Sequence, residues 1–266
     1  MKRPLVSILI CTYNAECFIK ETLLSVLSQS YQNIEVLILD NASSDKTVAA
    51  IAATYEVGKG PSVRLIQGKK NLGPYGGLNF LLDKAKGKYI AINDHDDIWY
   101  PEKLKKQIEF LEEHQEYIGC GTAIINWYEK YGKNIYRTQS EKSDIAWHSS
   151  LVFRNNHYKY DTSVKVGTDF YFIKNILCKN KKVIYNFQEP LVLRRIFKNS
   201  GNLSGKWMQG FSFKELIKLD LPFIDKLAIL NRKIMPKEFV EWIIVKIWGD
   251  NIPKKYKSYA TTYQIT

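Results

Sequence analysis

Cysteine is scarce in this chain. There are four in 266 residues, Cys11, Cys17, Cys120 and Cys178, and none form a C-x-x-C pair. That argues against a disulfide framework or a zinc site and fits a reducing cytoplasm. No stretch is apolar for the ~20 residues that a bilayer-spanning helix needs. The apolar run from Pro4 to Cys11 is also too short for a secretory leader, and Thr12-Tyr13-Asn14 offers no cleavage-type end. Acids are the minority charge, 27 against 39 Lys and Arg, for a formal net charge of +12. Such a balance suits a polyanion, an anionic membrane surface or a diphosphate-bearing ligand. The usual nucleic-acid signatures are missing: no zinc-finger spacing, no RNP-type aromatic run and no basic heptad segment. Repeats and low-complexity tracts are missing too.

What is present is an alternation. Leu5 to Cys11 is a continuous β-rich run, as in a buried parallel strand. Cys17 to Ser28 carries apolar residues at helical spacing. Strands at Glu35–Leu39 and Val63–Gln67 and helices at Thr47–Tyr55 and Leu78–Lys86 follow, then a fourth strand at Tyr89–Ile92. A β-α-β-α-β-α-β order predicts an α/β fold with a mostly parallel sheet and helices on both faces. Lys103 to His114 is one more amphipathic helix. Beyond it the alternation breaks into aromatic-rich strands over Gly121–Arg137, a strand at Leu151–Arg154, a helix at Thr168–Cys178 and a short strand at Lys182–Tyr185.

The fourth strand ends in Asn93-Asp94-His95-Asp96-Asp97. Three carboxylates so close repel one another at neutral pH. A hard divalent cation such as Mg²⁺ or Mn²⁺ relieves that repulsion, and ligands of open α/β sheets bind beyond the carboxyl ends of the strands. The alternative is a solvated acidic turn before the helix that starts near Pro101.

Several stretches resemble, in order, the motifs of family 2 glycosyltransferases of the GT-A fold. They are Val6 to Asn14, Gln29 to Val36, Asp40 to Thr47, Asn71-Leu72-Gly73, and Gly87-Lys88-Tyr89 leading into Asp94 to Leu104. The match is dense over the first 110 residues and thinner to about Ser204. The resemblance implies an inverting transfer of a sugar from a nucleoside diphosphate sugar, most readily a UDP-sugar, to a saccharide or lipid-linked acceptor. It implies nucleotide contacts from Thr12, Tyr13, Asn14, Asp40, Asn71, Gly73, Asn79, Asp94 and Arg195. Asp40 would accept a hydrogen bond from the base, a carboxylate being an acceptor for a pyrimidine N–H. It also implies Mn²⁺ or Mg²⁺ at Asp96, with Asp94 and Asp97 beside it, and a catalytic base at Asp169.

The chain departs from the family pattern at Thr168 (usually Glu), Leu78 (often Arg) and Phe197 (often His). These departures keep a non-catalytic sugar-nucleotide-binding or scaffold protein in view. A sugar-phosphate nucleotidyltransferase is disfavoured by the absence of a Gly-rich phosphate loop near the N-terminus. The expected organisation is a glycosyltransferase domain over 1–204, with nucleotide and acceptor halves meeting near residue 110, and a basic helical extension over 205–266. The extension has helices at Phe211–Leu219, Ile224–Ile234 and Lys237–Trp248. Two readings of the last one stand. It packs on the core or a second subunit, or it lies in the plane of the inner face of the cell membrane, tryptophans at the interface and lysines toward anionic lipid.

Overall fold

The computed structural model describes residues 3–55, 60–164, 167–197 and 237–261. The expected helices at 211–219 and 224–234, and the boundary at 204, lie outside them. The chain divides into two compact units. One comprises residues 1–125, 137–164 and 168–194, the other 126–136, 165–167 and 195–266.

The first unit is an α/β sandwich around one mixed sheet. The strands are β1 (Val6–Thr12), β2 (Ile34–Asp40), β3 (Ser62–Gln67), β4 (Tyr89–Ile92), β5 (Ile98–Trp99), β6 (Tyr117–Tyr128), β7 (Lys133–Arg137), β8 (Lys142–Ser143), β9 (Val152–Arg154) and β10 (Val183–Ile196); β7 up to Tyr136 and the ends of β6 and β10, from Asn126 and Arg195, are assigned to the second unit. The spatial order is β3-β2-β1-β4-β9-β6-β10-β5, with β7 on β6 and β8 on β10. The first four strands run parallel, in the registers Thr12↔Asp40, Asp40↔Gln67 and Leu9↔Ile92. The second half turns antiparallel, β9 pairing with both β4 and β6. The strand order reverses direction between β1 and β4, which is where such sheets open a ligand crevice.

Alternation along β1, β2 and β4 divides the core. Ile8, Ile10, Val36, Ile38, Tyr89 and Ala91 pack with α1 (Ile19–Leu27), α2 (Thr47–Ala52) and α4 (Lys103–Glu113). Leu9, Leu37, Leu39, Ile90 and Ile92 pack with α3 (Gly73–Leu82) and the helical segment that begins with α5 (Thr168–Tyr171) and continues as a π-helical turn over Phe172–Leu177. α3 begins five residues earlier than the apolar period predicts, because Pro74 sits in its first turn, where the ring presets φ and no N–H is needed. β10 is 14 residues, far longer than the expected Lys182–Tyr185. Pro190 hides it, since proline argues against a central strand.

In the second unit, α6 (Lys237–Trp248) is followed by a 3-10 turn and α7 (Lys257–Thr261). Asp250 pairs with Lys133 at 2.5 Å, and Asn251 accepts the Tyr136 amide. Trp242, Ile247 and Trp248 are exposed. No helix among the described residues is long and apolar enough to cross a membrane.

Candidate active site

The loops at the ends of β1 and β2 are stitched together. Asn14 adopts a left-handed φ of 48°, which asparagine tolerates. Its side-chain oxygen accepts the Ser44 amide at 2.9 Å, and its own amide donates to Ser43 Oγ. Asp45 takes the amides of Glu16 and Thr47. Asn41 clamps the loop before α3: its amide nitrogen donates to Asn71 Oδ1 and the Gly73 carbonyl, both at 3.0 Å, while its oxygen accepts the Leu72 amide. Asn79 grips the backbone of Tyr160 from both sides, accepting its N–H and donating to its C=O at 2.8 Å each. The side chains of Asn14, Asn71 and Asn79, expected to meet nucleotide directly, are engaged in shaping the loops around the cleft.

Asp40 and Thr12 stand opposite each other at the ends of β2 and β1. Asp40 is 3% exposed. One of its oxygens accepts the Ser43 amide. The other, like the Thr12 hydroxyl, is buried without a hydrogen-bond partner among the described residues. A buried carboxylate oxygen left this way is costly unless something donates to it. Tyr13 beside them is exposed. Cys11, on the opposite face of β1, feels the negative charge of both Asp94 and Asp40; burial first and these charges second push its thiol up to about 12.

The three acids after β4 have different surroundings. Asp94 is 44% exposed and meets His148 Nδ1 at 3.3 Å. Burial pushes its carboxyl up, but the hydrogen bond and charge of His148, with Arg194 and His95, outweigh it and hold the group below the usual range. Asp96 is raised, chiefly by burial and then by Asp94, against the pull of His95 and Arg194. Asp97 is raised well above the usual range by burial and by the charges of Asp96 and Asp94, which Arg194 and a hydrogen bond with Ser149 only partly offset. Arg194 thus acts on all three. The β5–β10 ladder pairs Val192 with Trp99 and Leu193 with Ile98, so one further step brings Arg194 abreast of Asp97. Arg195, the arginine expected at the diphosphate, follows it on β10 and is buried.

Among the described residues, no three His, Cys, Asp or Glu side chains form a metal cage. Asp94 meets His148 and Asp97 lies beside Ser149, so the three acids differ in their surroundings. The donor chemistry still fits a cation. Two carboxyls raised by burial and mutual repulsion are what a divalent ion would ionise. Mg²⁺-type sites commonly take one or two carboxylates and complete their shell with substrate phosphates. Asp96, with Asp94 or Asp97, would hold the ion, which supplies Lewis-acid stabilisation of a leaving diphosphate.

Asp169 lies in the first turn of α5, its Oδ1 accepting the Phe170 amide at 2.9 Å. Thr168, where the family pattern has Glu, is buried and donates to the Val164 carbonyl. Leu78, where it often has Arg, is core. Two further groups lie beside these acids. Tyr75 packs on Tyr160, ring centroids 5.3 Å apart; His148 links Asp94 to Tyr160. Asp94, His148, Tyr160 and Tyr75 thus form one run of contacts.

A family model described as glycosyl transferase family 2 matches residues 7–179. The chain belongs to glycosyltransferase family 2. EpsE of Bacillus subtilis (strain 168) is 35% identical over 163 residues, covering 59% of this chain and 58% of EpsE. A glycosyltransferase of Haemophilus influenzae, itself uncharacterised, is 41% identical over 111 residues, 42% of this chain and 44% of that protein. The chain thus spans about half the length of these relatives. TuaG of B. subtilis, named for teichuronic acid biosynthesis, is 35% identical over 111 residues, 42% of this chain and 43% of TuaG. Among solved structures, the Pyrobaculum calidifontis mannosyltransferase PcManGT, in complex with GDP-Man and Mn²⁺, gives a TM-score of 0.61 at 16% identity, covering 98% of this chain and 84% of that one. S. aureus TarS 1–349 with UDP-GlcNAc gives 0.60 at 19%, covering 86% and 71%. At such identities the likeness is one of fold, and this family member has the expected GT-A architecture.

Proposed function

We propose that this chain is an inverting, metal-dependent glycosyltransferase that moves a sugar from a UDP-sugar to a hydroxyl of a saccharide or lipid-linked acceptor in surface polysaccharide or glycolipid synthesis. The observation that supports the reading most directly is Thr12 and Asp40 opposite each other at the carboxyl ends of β1 and β2, each with a buried oxygen lacking a hydrogen-bond partner among the described residues, beside β4, which pairs with β1 and runs into the three acids. Asp40 receives the base N–H on its unoccupied oxygen, with Thr12 and Tyr13 around base and ribose. Arg194, a forked donor facing the acids, meets the diphosphate. Asp96 and its neighbours hold the cation. Asp169 takes the proton from the acceptor hydroxyl as that oxygen bonds to the anomeric carbon; the bond from that carbon to the diphosphate breaks, and its electron pair leaves with the β-phosphate. Of the two readings of the C-terminal helix, exposed Trp242, Ile247 and Trp248 beside exposed Lys246, Lys254 and Lys255 favour peripheral contact with anionic lipid at the inner face of the membrane.

Calorimetry with UDP, with and without Mn²⁺, followed by UDP release from a panel of UDP-sugars, tests the reading. Metal-dependent binding and a release rate that falls by about 10² or more in Asp169→Asn support it. UDP binding without release, unchanged by Asp169→Asn, gives the chain instead to the scaffold reading, which the buried Thr168 and Leu78 favour.

A further inference from the structure

Behind Asp94 stands a histidine. β9 runs antiparallel to β4, pairing Val152 with Ala91, and the Ile92 amide donates to the Leu151 carbonyl at 3.2 Å. The ladder therefore sets the residues just before β9 beside those just after β4. His148 opens a 3-10 turn, His148–Ser150, at that point, and the Leu151 amide donates to the His148 carbonyl at 3.1 Å. Its Nδ1 lies 3.3 Å from Asp94 Oδ1. The imidazole is 11% exposed and the Asp94 side chain 44%, so the histidine takes one side of the carboxylate and leaves the rest open to a ligand. The other ring nitrogen is anchored: Nε2 lies 2.9 Å from the Tyr160 hydroxyl. Tyr160 is fixed in turn. Asn79 on α3 accepts its N–H and donates to its carbonyl, Phe172 stacks on its ring at 3.9 Å, and Tyr75 packs against it. Lys159 adds a brace, donating to the Asn79 carbonyl at 2.7 Å and pairing with Asp83 at 2.6 Å. An ionised carboxylate only accepts, so Nδ1–H is the donor to Asp94, and the Tyr160 hydroxyl can donate to Nε2.

We propose that His148 is the positioning residue for Asp94: it passes the rigidity of the α3–Tyr160 wall to the acid that meets the cation beside Asp96. The inference rests on the proposed metal-dependent transfer and deepens it. It gives the cation Asp94 as its second carboxylate rather than Asp97, which is 1% exposed and already enclosed. A carboxylate that binds a metal ion is aimed by the hydrogen bond on its other oxygen. Losing such an outer partner leaves the ligand in place but lets it turn, and commonly costs about tenfold to a hundredfold in metal affinity. The anchor matters as much as the contact. An imidazole held only by Asp94 would swing with it, whereas one held at Nε2 by a buried tyrosine cannot.

The test pairs two substitutions in the full chain. His148→Asn puts an amide near the place of Nδ1 and keeps a donor for Asp94; His148→Gln reaches toward the place of Nε2 and takes that donor away. Titration with Mn²⁺ in the presence of UDP, followed by calorimetry, should find His148→Gln weaker by about tenfold or more and His148→Asn restored to within about threefold of wild type. UDP affinity without metal stays close to wild type in both. A merely structural role would lower the melting temperature and weaken UDP with and without Mn²⁺ alike in both variants, and that result overturns the proposal. So does a Mn²⁺ affinity that His148→Gln leaves unchanged. Because His148 acts through Asp94, His148→Gln should cost less than about twofold more in an Asp94→Asn background; independent losses overturn the proposal. Tyr160→Phe covers the case in which His148→Gln does not fold. It keeps the ring and removes the hydroxyl at Nε2, and Mn²⁺ affinity should fall by about threefold or more; no loss there overturns the proposal. A wild type that binds UDP but no Mn²⁺ refutes the metal-dependent reading and the proposal with it. A wild type that binds both, matched by His148→Gln, refutes the proposal alone.

Discussion

Lys103 is fully buried at the start of α4. Its Nζ has no hydrogen-bond partner among the described residues and lies 3.7 Å from the centre of the Trp99 ring. Burial pulls its pKa down from 10.5 to about 7, against a small opposing effect of Cys120. Between pH 7 and 10.5 the unfolded lysine holds a proton that the folded one has released, so stability climbs with pH across that window; below about 7 both hold it and the contribution is flat. At ~1.4 kcal/mol per pH unit the gap from 10.5 to 7 amounts to roughly 5 kcal/mol. The ring face favours the charged form by about 1–2 kcal/mol, which leaves a burden on the order of 3 kcal/mol near pH 7. Lys103→Met keeps the chain length and removes the charge. Urea unfolding at pH 7, 8 and 9 should find the variant more stable by about 2–4 kcal/mol at pH 7, with the difference shrinking as pH rises. Taking the difference cancels the buried tyrosines, which titrate in both proteins. A variant no more stable than wild type at pH 7, or a difference that ignores pH, would refute the reasoning.

Other substitutions probe the cleft. Asn79→Leu leaves the Tyr160 amide and carbonyl without their partner and should cost roughly 2–4 kcal/mol in urea unfolding. Gly77→Ala drives a methyl into Cys11 and should destabilise by about 1–3 kcal/mol, with Cys11→Ala restoring part of the loss in the double variant. Arg194→Met should weaken Mn²⁺–UDP binding at least tenfold in calorimetry, whereas Arg195→Met, on a buried side chain, should lower the melting temperature first. The His148–Asp94 pair should also show in pH profiles. His148 is raised above 6.5 because the bond to Asp94 and the charges of Asp94 and Asp169 outweigh the effect of burial, and Asp94 is lowered below 3.8. The pair's stability is present between those ordinary values; it is lost as pH rises through the raised histidine or falls through the lowered carboxylate. The stability difference between wild type and His148→Gln should be largest between those ordinary values and shrink as pH rises through the raised imidazole.

The β-α alternation of the first hundred residues was readable because buried parallel strands are continuous apolar runs with a sharp polar end, as in Val6–Thr12 and Ile34–Asp40. The same feature exposed Asp40 and the acids after Ile92. What escaped has a physical cause in each case. β5 is two residues long and exists only through its ladder to β10. β10 is masked by Pro190. The loop-shaping partners of Asn14, Asn71 and Asn79 lie 30, 30 and 81 positions away in the chain, which local sequence does not encode. His148 carries no motif; its hydrogen bond with Asp94 spans 54 positions of chain.

The central claim is that the β2 and β4 strand ends form one donor cleft, with base at Asp40 and cation at the acids after Ile92. The direct measurement is a crystal structure with UDP and Mn²⁺, read by the manganese anomalous signal. The account predicts one peak within about 2.0–2.3 Å of a carboxylate oxygen among Asp94, Asp96 and Asp97, bridged to the diphosphate, with the uracil N3–H on Asp40. A manganese peak remote from those acids, or a nucleotide that leaves Asp40 untouched, would contradict it.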